Sequence, residues 1–409
     1  MNKYVLMVVS FIVSSANVYG SCQITNAGDL FNEIKKNHPK IQQNNNALIA
    51  KEKSIQYLNT WTNPELSLDM AKGKDTDGKT KKMGASLMQP IELNGKKRAN
   101  FNLSKAQMQK ESVSLEKESE EILVESALKI HKLAQIYRII PLYKETREAF
   151  EKILKNKLQR PSLSPEEEVE KEALILAIRD NDLKVARLEN EKDYLKKHIN
   201  YYAKVDCDLN LQVLPSSVDW SKVNPGQTAD SQNSLSLKEA RLELERAKKN
   251  LVLQEKESVS TIKIGPTFEV EELQGKKYNT FGLSLSFDLP LSGQSKYLRQ
   301  SAQYEISNAA EALKEKEAEE KIDKDLWMRK FSDLKKTLVE NKKNNQLEKK
   351  HDRIESLFRR GIISTGLVIE SHRQLLEFAN THDEFELSAL EALWQIHSLE
   401  GNVFKADFI

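Results

Sequence analysis

From Phe281 to Leu289 the chain places an apolar side chain at every second position: Phe281, Leu283, Leu285, Phe287 and Leu289, with Gly282, Ser284, Ser286 and Asp288 between them. Strict alternation of this kind predicts a strand with one greasy and one wet face. A partner strand is expected from about Thr267 to Leu273, through Phe268 and Val270, with Glu269 and Glu271 interleaved. In the first half of the chain Leu66, Leu68 and Met70 alternate with Ser67 and Asp69, and Gly84 to Ile91 forms the return strand. The connections DTDGKT and ELQGKKYN are polar and contain glycine, as hairpin loops do. Each strand is read as about nine residues, roughly what crosses a bilayer when tilted.

Elsewhere the period changes from two to that of a helix. One pattern runs from about Gly95 to Leu158 and is interrupted only by Pro141, where a kink is expected. A helix of that length reaches on the order of 95 Å. Leu237, Ala240, Leu244, Ala247 and Leu251 recur at alternating three- and four-residue steps, as do Leu375, Phe378, His382, Phe385, Ala389, Ala392 and Ile396. These are coiled-coil seams, with small residues that let helices approach closely. The two halves also match each other. MGASLMQPIELNGKKR aligns with FGLSLSFDLPLSGQSK, Asn63-Pro64 with Gly265-Pro266, and QRPSLSPEEE with RRGIISTGLV. Each half therefore reads strand, strand, long helix, turn, long helix. The segments expected are an N-terminal helical stretch (21–62), a first β-hairpin (63–94), a helical hairpin (95–200), an equatorial linker (201–234) and a helix (235–262). A second β-hairpin (263–293) and a second helical hairpin with the C-terminal segment (294–409) follow.

Composition narrows the class. Of the residues, 30% are charged and 7% aromatic, which suits long polar-faced helices better than a thick-cored enzyme. The net charge of +2 gives no electrostatic case for a nucleic-acid partner. Lys3, the apolar run from Tyr4 to Val13 and the small residues up to Gly20 read as a secretory signal cleaved after Gly20. No later run approaches the roughly 20 apolar residues of a membrane helix, so a membrane contact would have to be made by strands. Cys22 and Cys207 leave three states open: one disulfide, a lipid anchor on Cys22, or two free thiols. Tyr19, three residues before Cys22, makes a poor lipidation signal. The seven histidines are scattered without helical pairing or a cysteine cluster, so no metal site and no cofactor is expected. His382 and its counterpart Asn181 read as a buried polar pair that sets helix register. No phosphate loop and no nucleophile elbow is present, and no enzyme is expected.

Four strands cannot close a ring, and two open edges would leave backbone groups unpaired in lipid. Several copies are therefore required, with Phe and Leu facing lipid and Ser, Gly and Asp facing a wet interior. At this point a resemblance enters. QPIELNGKKR, FRRGIISTGLVIESHRQLL and LSALEALWQIHSLEG resemble the strand exit, the second helical turn and the closing helix of TolC-type outer-membrane factors, in the order found there. The resemblance covers about Ala27 to Gly401. Its "ELNGKK" wording lies closest to the heavy-metal efflux, CzcC-like branch. It implies a mixed α/β membrane protein: a homotrimer whose strands form a twelve-stranded β-barrel in the outer membrane, set on an α-helical periplasmic barrel. A periplasmic adaptor and an inner-membrane pump, of RND type or an ABC exporter, would be its partners. The implied function is a passive efflux conduit for small toxic solutes such as drugs or heavy-metal ions. The same architecture serving type I protein secretion is one alternative, and a periplasmic coiled-coil scaffold without a barrel is another.

Under that resemblance the turns around Arg160–Ser164 and Arg359–Thr365 form a periplasmic tip that meets the adaptor, with Arg160, Ser164, Arg360, Gly361 and Ser364 as contacts. Gly361 supplies a helix break and Ser364 or Thr365 the next N-cap, which any helical hairpin also needs. In the first turn Pro161 and Pro165 stand where the second has Gly361 and Thr365. Glu166, Glu167, Glu168 and Glu170 follow the first turn, while Arg359 and Arg360 sit at the second and Glu370 in the helix beyond it. Opposed charges there form a candidate gate. Acidic residues also favour a helix N-terminus by themselves.

Overall fold

The order of elements follows from the change of hydrophobic period along the chain. In a computed structural model, residues 24–58, 60–75, 78–225, 234–257, 261–273, 276–287, 293–343 and 347–408 are described. Helices α1 (Ala27–Asn37) and α2 (Pro39–Leu58) precede strands β1 (Glu65–Asp75) and β2 (Gly78–Ile91). Helices α3 (Lys96–Leu158), α4 (Pro165–Ala203) and α5 (Leu235–Lys256) follow, then β3 (Ile262–Leu273) and β4 (Lys276–Phe287). Helices α6 (Gln294–Lys343), α7 (Leu347–Arg359) and α8 (Thr365–Leu399) complete the chain. The expected signal segment, Cys22 and the end of the alternating run at Asp288 and Leu289 lie outside the described residues.

The four strands form one antiparallel sheet in the order β1-β2-β3-β4. They are longer than the alternation alone indicated. β3 begins at Ile262 and runs straight through Gly265-Pro266, ahead of the start near Thr267 that the alternation indicated. Proline lacks a donor and is normally excluded from a central strand. The pairing of β2 with β3 skips Gly265 and Pro266, so no ladder bond to β2 is asked of the proline; an added Cβ at Gly265 would lie 1.8 Å from the Leu87 carbonyl oxygen. The two backbones approach so closely that only glycine fits.

α3 is one helix of 63 residues and continues through Pro141. Its buried positions include Ala99, Ala106, Val113, Glu120, Ala127 and Ala134, each seven residues after the last. Small side chains along this stripe let neighbouring helices pack tightly, as in a coiled coil. Glu120 breaks the stripe, and its Oε2 has no partner. Burial pushes its carboxyl up to about 7, against a hydrogen bond with Ser398 and reinforced by Glu116 and Glu121.

In α8 the core-facing stripe is His372, Leu376, Glu386, Leu390 and Leu393, all buried. The seam read from sequence is a neighbouring stripe. Its far half, Phe378 and Phe385, is exposed, while Ala389, Ala392 and Ile396 are buried.

Residues 204–225 form a strap across the middle of the helices. Val218, Trp220 and Val223 pack with Phe331, Leu338, Leu390 and Leu393. Arg138 donates to the Pro215 carbonyl at 3.3 Å, and the Val218 N–H donates to Glu386 at 3.0 Å. Arg138 also pairs with Glu386 at 3.2 Å, and Lys335 donates to the Val223 carbonyl at 2.6 Å.

Two outcomes test these contacts. Gly265→Ala should cost on the order of 3 kcal/mol of folding stability, because backbone must move. Gly282→Ala should cost far less, since its added Cβ meets only the movable Thr267 Oγ1, at 3.0 Å. Denaturant midpoints of both variants make the comparison. For Glu120, the folded carboxyl holds its proton more tightly than the unfolded one, so its contribution to stability falls as pH rises from about 4.5 to about 7. Glu120→Gln should therefore stabilise the fold above that window by on the order of 2 kcal/mol and change little below it. Melting curves on either side of the window check the sign.

Candidate functional site

The register of the sheet gathers its apolar residues on one face. Leu66, Leu68 and Met70 of β1 align with Leu87, Ala85 and Met83 of β2. Ala85 and Met83 align in turn with Phe268 and Val270 of β3. Phe268, Ile264 and Ile262 align with Phe281, Leu285 and Phe287 of β4. The face is open to its surroundings: Phe281 is 81% exposed, Leu283 73% and Met70 75%. Contiguous exposed apolar surface of this size marks a membrane or protein contact. The opposite face carries Ser67, Asp69, Lys82, Ser86, Thr267 and Ser284, with Lys82 paired to Glu269 at 2.8 Å and Lys263 to Glu65 at 2.7 Å. The outer edges of β1 and β4 have no strand partner among the described residues.

At the far end of the helices, on the order of 95 Å from the sheet by the length of α3, lie the two turns. α7 ends in a Schellman arrangement: Gly361 has φ +70, its N–H donates to Phe358, and the Ile362 N–H donates to Leu357. α4 starts with a capping box, in which the Glu167 N–H donates to Ser164 Oγ at 3.2 Å and the Ser164 N–H donates to Glu167 at 3.0 Å. Arg160, Ser164, Arg360, Gly361 and Ser364 are all exposed. Phe150, Ile153, Leu174 and Val368 form a small core beneath the turns.

One residue ties the two turns together, and it is an acidic residue of the first. Lys157, buried, pairs with Glu170 at 2.6 Å. Burial opposes the charge on Glu170, but hydrogen bonds from Lys157 and from the side chain and backbone of Thr365 hold its pKa below the usual carboxylate range. Thr365 opens α8, so Glu170 satisfies one of that helix's free N–H groups and complements its dipole.

Four of the other candidate gate charges are engaged locally within the protomer. Glu167 pairs with Arg160, Glu168 with Lys171 at 2.5 Å, and Arg359 with Glu355 at 3.2 Å. Glu370 is held ionised, at about 2, by Arg373 and then Gln374 of its own helix. The ion pairs of Glu167, Glu168, Arg359 and Glu370 thus do not join the two turns, and Glu166 stands exposed on α4.

Above the tip, α3, α4 and α8 enclose a groove of about 720 Å³ that includes Tyr143, Asn181, Lys184, Arg187, Arg373 and Glu377. Asn181 is buried, and its Nδ2 lacks a protein partner. His382, read as its mate, is instead half-buried against Phe378. The buried histidine of this region is His372, whose Nδ1 lies 2.9 Å from the Val368 carbonyl and whose ring meets Phe150 edge-on. Sequence gave no sign of it beyond its phase in α8. Cys207 is buried and disulfide-bonded. Among the described residues no group of three or more His, Cys, Asp or Glu is placed to hold a metal, and no helix is long and apolar enough to cross a membrane.

No protein-family model matches the chain, and no curated protein matches it in sequence. Solved structures do. The Campylobacter jejuni CmeC outer membrane channel is similar at 13% identity, covering 94% of this chain and 87% of that one, with a TM-score of 0.73. The open state of the Neisseria gonorrhoeae MtrE outer membrane channel is similar at 12% identity, over 94% and 91%, with a TM-score of 0.72. CusC, described in terms of folding and transmembrane channel formation, is similar at 11% identity over 92% of both chains, with a TM-score of 0.71. The chain has the fold of these TolC-type channels, as its sequence resemblance implied.

Glu170→Gln should loosen the joint between the turns by about 1–2 kcal/mol, the worth of a partly exposed charged hydrogen bond. Because the folded pKa of Glu170 is depressed, its contribution is present above the ordinary carboxylate range and is lost as pH falls through the folded value. Amide exchange at the start of α8 should therefore accelerate in the variant at neutral pH and match wild type in acid.

Proposed function

We propose that this chain is one protomer of the outer-membrane channel of a tripartite efflux system, a passive conduit that carries small toxic solutes across the periplasm and the outer membrane. The observation that carries the reading is the sheet: one continuous exposed apolar face and two unpartnered edges, set at the end of very long helices. In lipid those edges must be paired, because nothing else there can satisfy their backbone groups. With four alternating antiparallel strands per copy, β4 of one protomer meets β1 of the next in antiparallel sense, so a ring of copies closes without a mismatch. The polar face then lines the lumen.

Three copies, the number the sequence resemblance implies, would give a barrel of twelve strands. Val169, Leu176 and Leu183, exposed at seven-residue spacing along α4, supply an apolar seam for a neighbouring helix, which favours self-association over an isolated scaffold. The matching order of hairpin, long helix, turn and long helix in the two halves fits an internal duplication. The exposed turn residues Arg160, Ser164, Arg360, Gly361 and Ser364 are the contacts proposed for a periplasmic adaptor, which links the channel to an RND-type pump or ABC exporter. Charges left free of cross-turn pairing inside one protomer, Glu166 and Arg360 among them, are placed to meet those of the next copy at a gate. Cys207 pairs with Cys22, the other cysteine in the chain, after export to an oxidising compartment.

The expected outcome is that the full-length protein fractionates with the outer membrane and runs on unheated gels as an oligomer that collapses to monomer on heating. A water-soluble monomer would overturn the channel. Deletion of the gene should raise sensitivity to metals, dyes or antibiotics; loss of a secreted protein with unchanged sensitivity would favour the type I secretion role instead.

A further inference from the structure

The hydrogen-bond register also orders the sheet in transverse rows. On the apolar face, the row Met70–Met83–Val270–Asn279 is succeeded, two residues farther from the helices, by Lys72–Lys81–Glu272–Lys277. Within about 7 Å of strand the face changes from aliphatic to cationic. Lys72 stands directly opposite Lys81, a like-charge cross-strand pair that disfavours the sheet unless an anion lies between. One row farther out, Lys74 stands opposite Lys79 in the backbone register.

The wet face of the same sheet is built differently. There Lys82 is paired with Glu269 and Lys263 with Glu65, so each of these lysines has a carboxylate beside it. Among the described residues no ion pair engages Lys72, Lys74, Lys81 or Lys277, and all four are exposed. Neighbouring strands lie about 4.8 Å apart, so the row from Lys72 to Lys277 spans about 14 Å. Lysine stems of this kind lie along apolar surface while their ammonium groups reach for the polar boundary.

The geometry points to a binding row for lipid phosphate, in which Lys72, Lys81 and Lys277 hold the phosphate groups of the phosphorylated glycolipid that faces outward in an outer membrane. The inference rests on the channel reading, which turns the apolar face to lipid and the hairpin ends outward. A lipid suits the row better than a free anion because the row continues the apolar band: acyl chains lie on Met70, Met83 and Val270 while the headgroup phosphates meet the ammonium groups. Glu272 sits between Lys81 and Lys277 and repels a phosphate there, which sets the spacing of the two binding positions.

The test uses the full-length protein in phosphatidylcholine vesicles, with fluorescent diphosphoryl lipid A and its dephosphorylated form as probes. Wild type should prefer the phosphorylated probe. Each lysine near an anionic lipid contributes about fivefold in affinity, so the triple variant K72Q/K81Q/K277Q should lose about a hundredfold. Glu272→Gln should strengthen binding severalfold, and Lys82→Gln, on the opposite face, should leave it unchanged. Equal binding of the two probes, or an unaltered triple variant, overturns the phosphate row while leaving the channel intact. Complete displacement by millimolar inorganic phosphate overturns it in favour of a free-anion site. A chain that fails to float with vesicles of either composition overturns the membrane reading, and the row with it.

Discussion

Backbone hydrogen bonding is the constraint on which this architecture turns. A peptide group at a sheet edge can be left to water at little cost, but in hydrocarbon it has no substitute partner. The sheet here combines an apolar face that avoids water with two edges that cannot tolerate lipid. On the proposed channel reading, no arrangement of a single copy satisfies both demands. The long helices inherit the consequence, because whatever encloses the strands must also organise everything that hangs from them.

Packing within the protomer follows two rules. Along α3 the heptad of Ala99, Ala106, Val113, Ala127 and Ala134 keeps helices close at the cost of little side-chain entropy. Specificity comes instead from a few polar groups held between elements: buried Glu386 bridging Arg138 and the Val218 N–H, and partly exposed Glu170 joining buried Lys157 to Thr365. Removing one partner of such a group strands the other without solvent, which makes these contacts poor places for substitution.

Much of this was legible before any coordinates. The two-residue period in Phe281–Phe287 identified both the strand and its greasy face, and the acidic run after Pro165 fitted the start of a helix; the capping box that Ser164 forms with Glu167 emerged only from the structure. What stayed hidden has physical reasons. The alternation begins only at Thr267, so the strand residues before it, Gly265-Pro266 among them, carried no period to read; only the approach of Leu87 from another strand shows why glycine is wanted there. On α8 two adjacent stripes share the same spacing, and nothing local says which one meets its own chain. Glu120 was visible in principle, since it falls in phase with the alanine heptad. The Lys157–Glu170–Thr365 joint was not, because it joins one helical hairpin to Thr365, in the other half of the chain.

The strap at residues 204–225 carries a mechanical consequence. It fixes α3 and α8 to each other and to α6 at mid-height, through Arg138, Glu386 and Lys335. From Arg138 to the end of α3 at Leu158 is about 30 Å of helix beyond that fastening. A swing of about ten degrees about the fastening carries the free end sideways by about 5 Å, the pitch of one helical turn. α3 is thus a lever with its fulcrum clamped, and the position of its free end is set by very small angular play at the fastening.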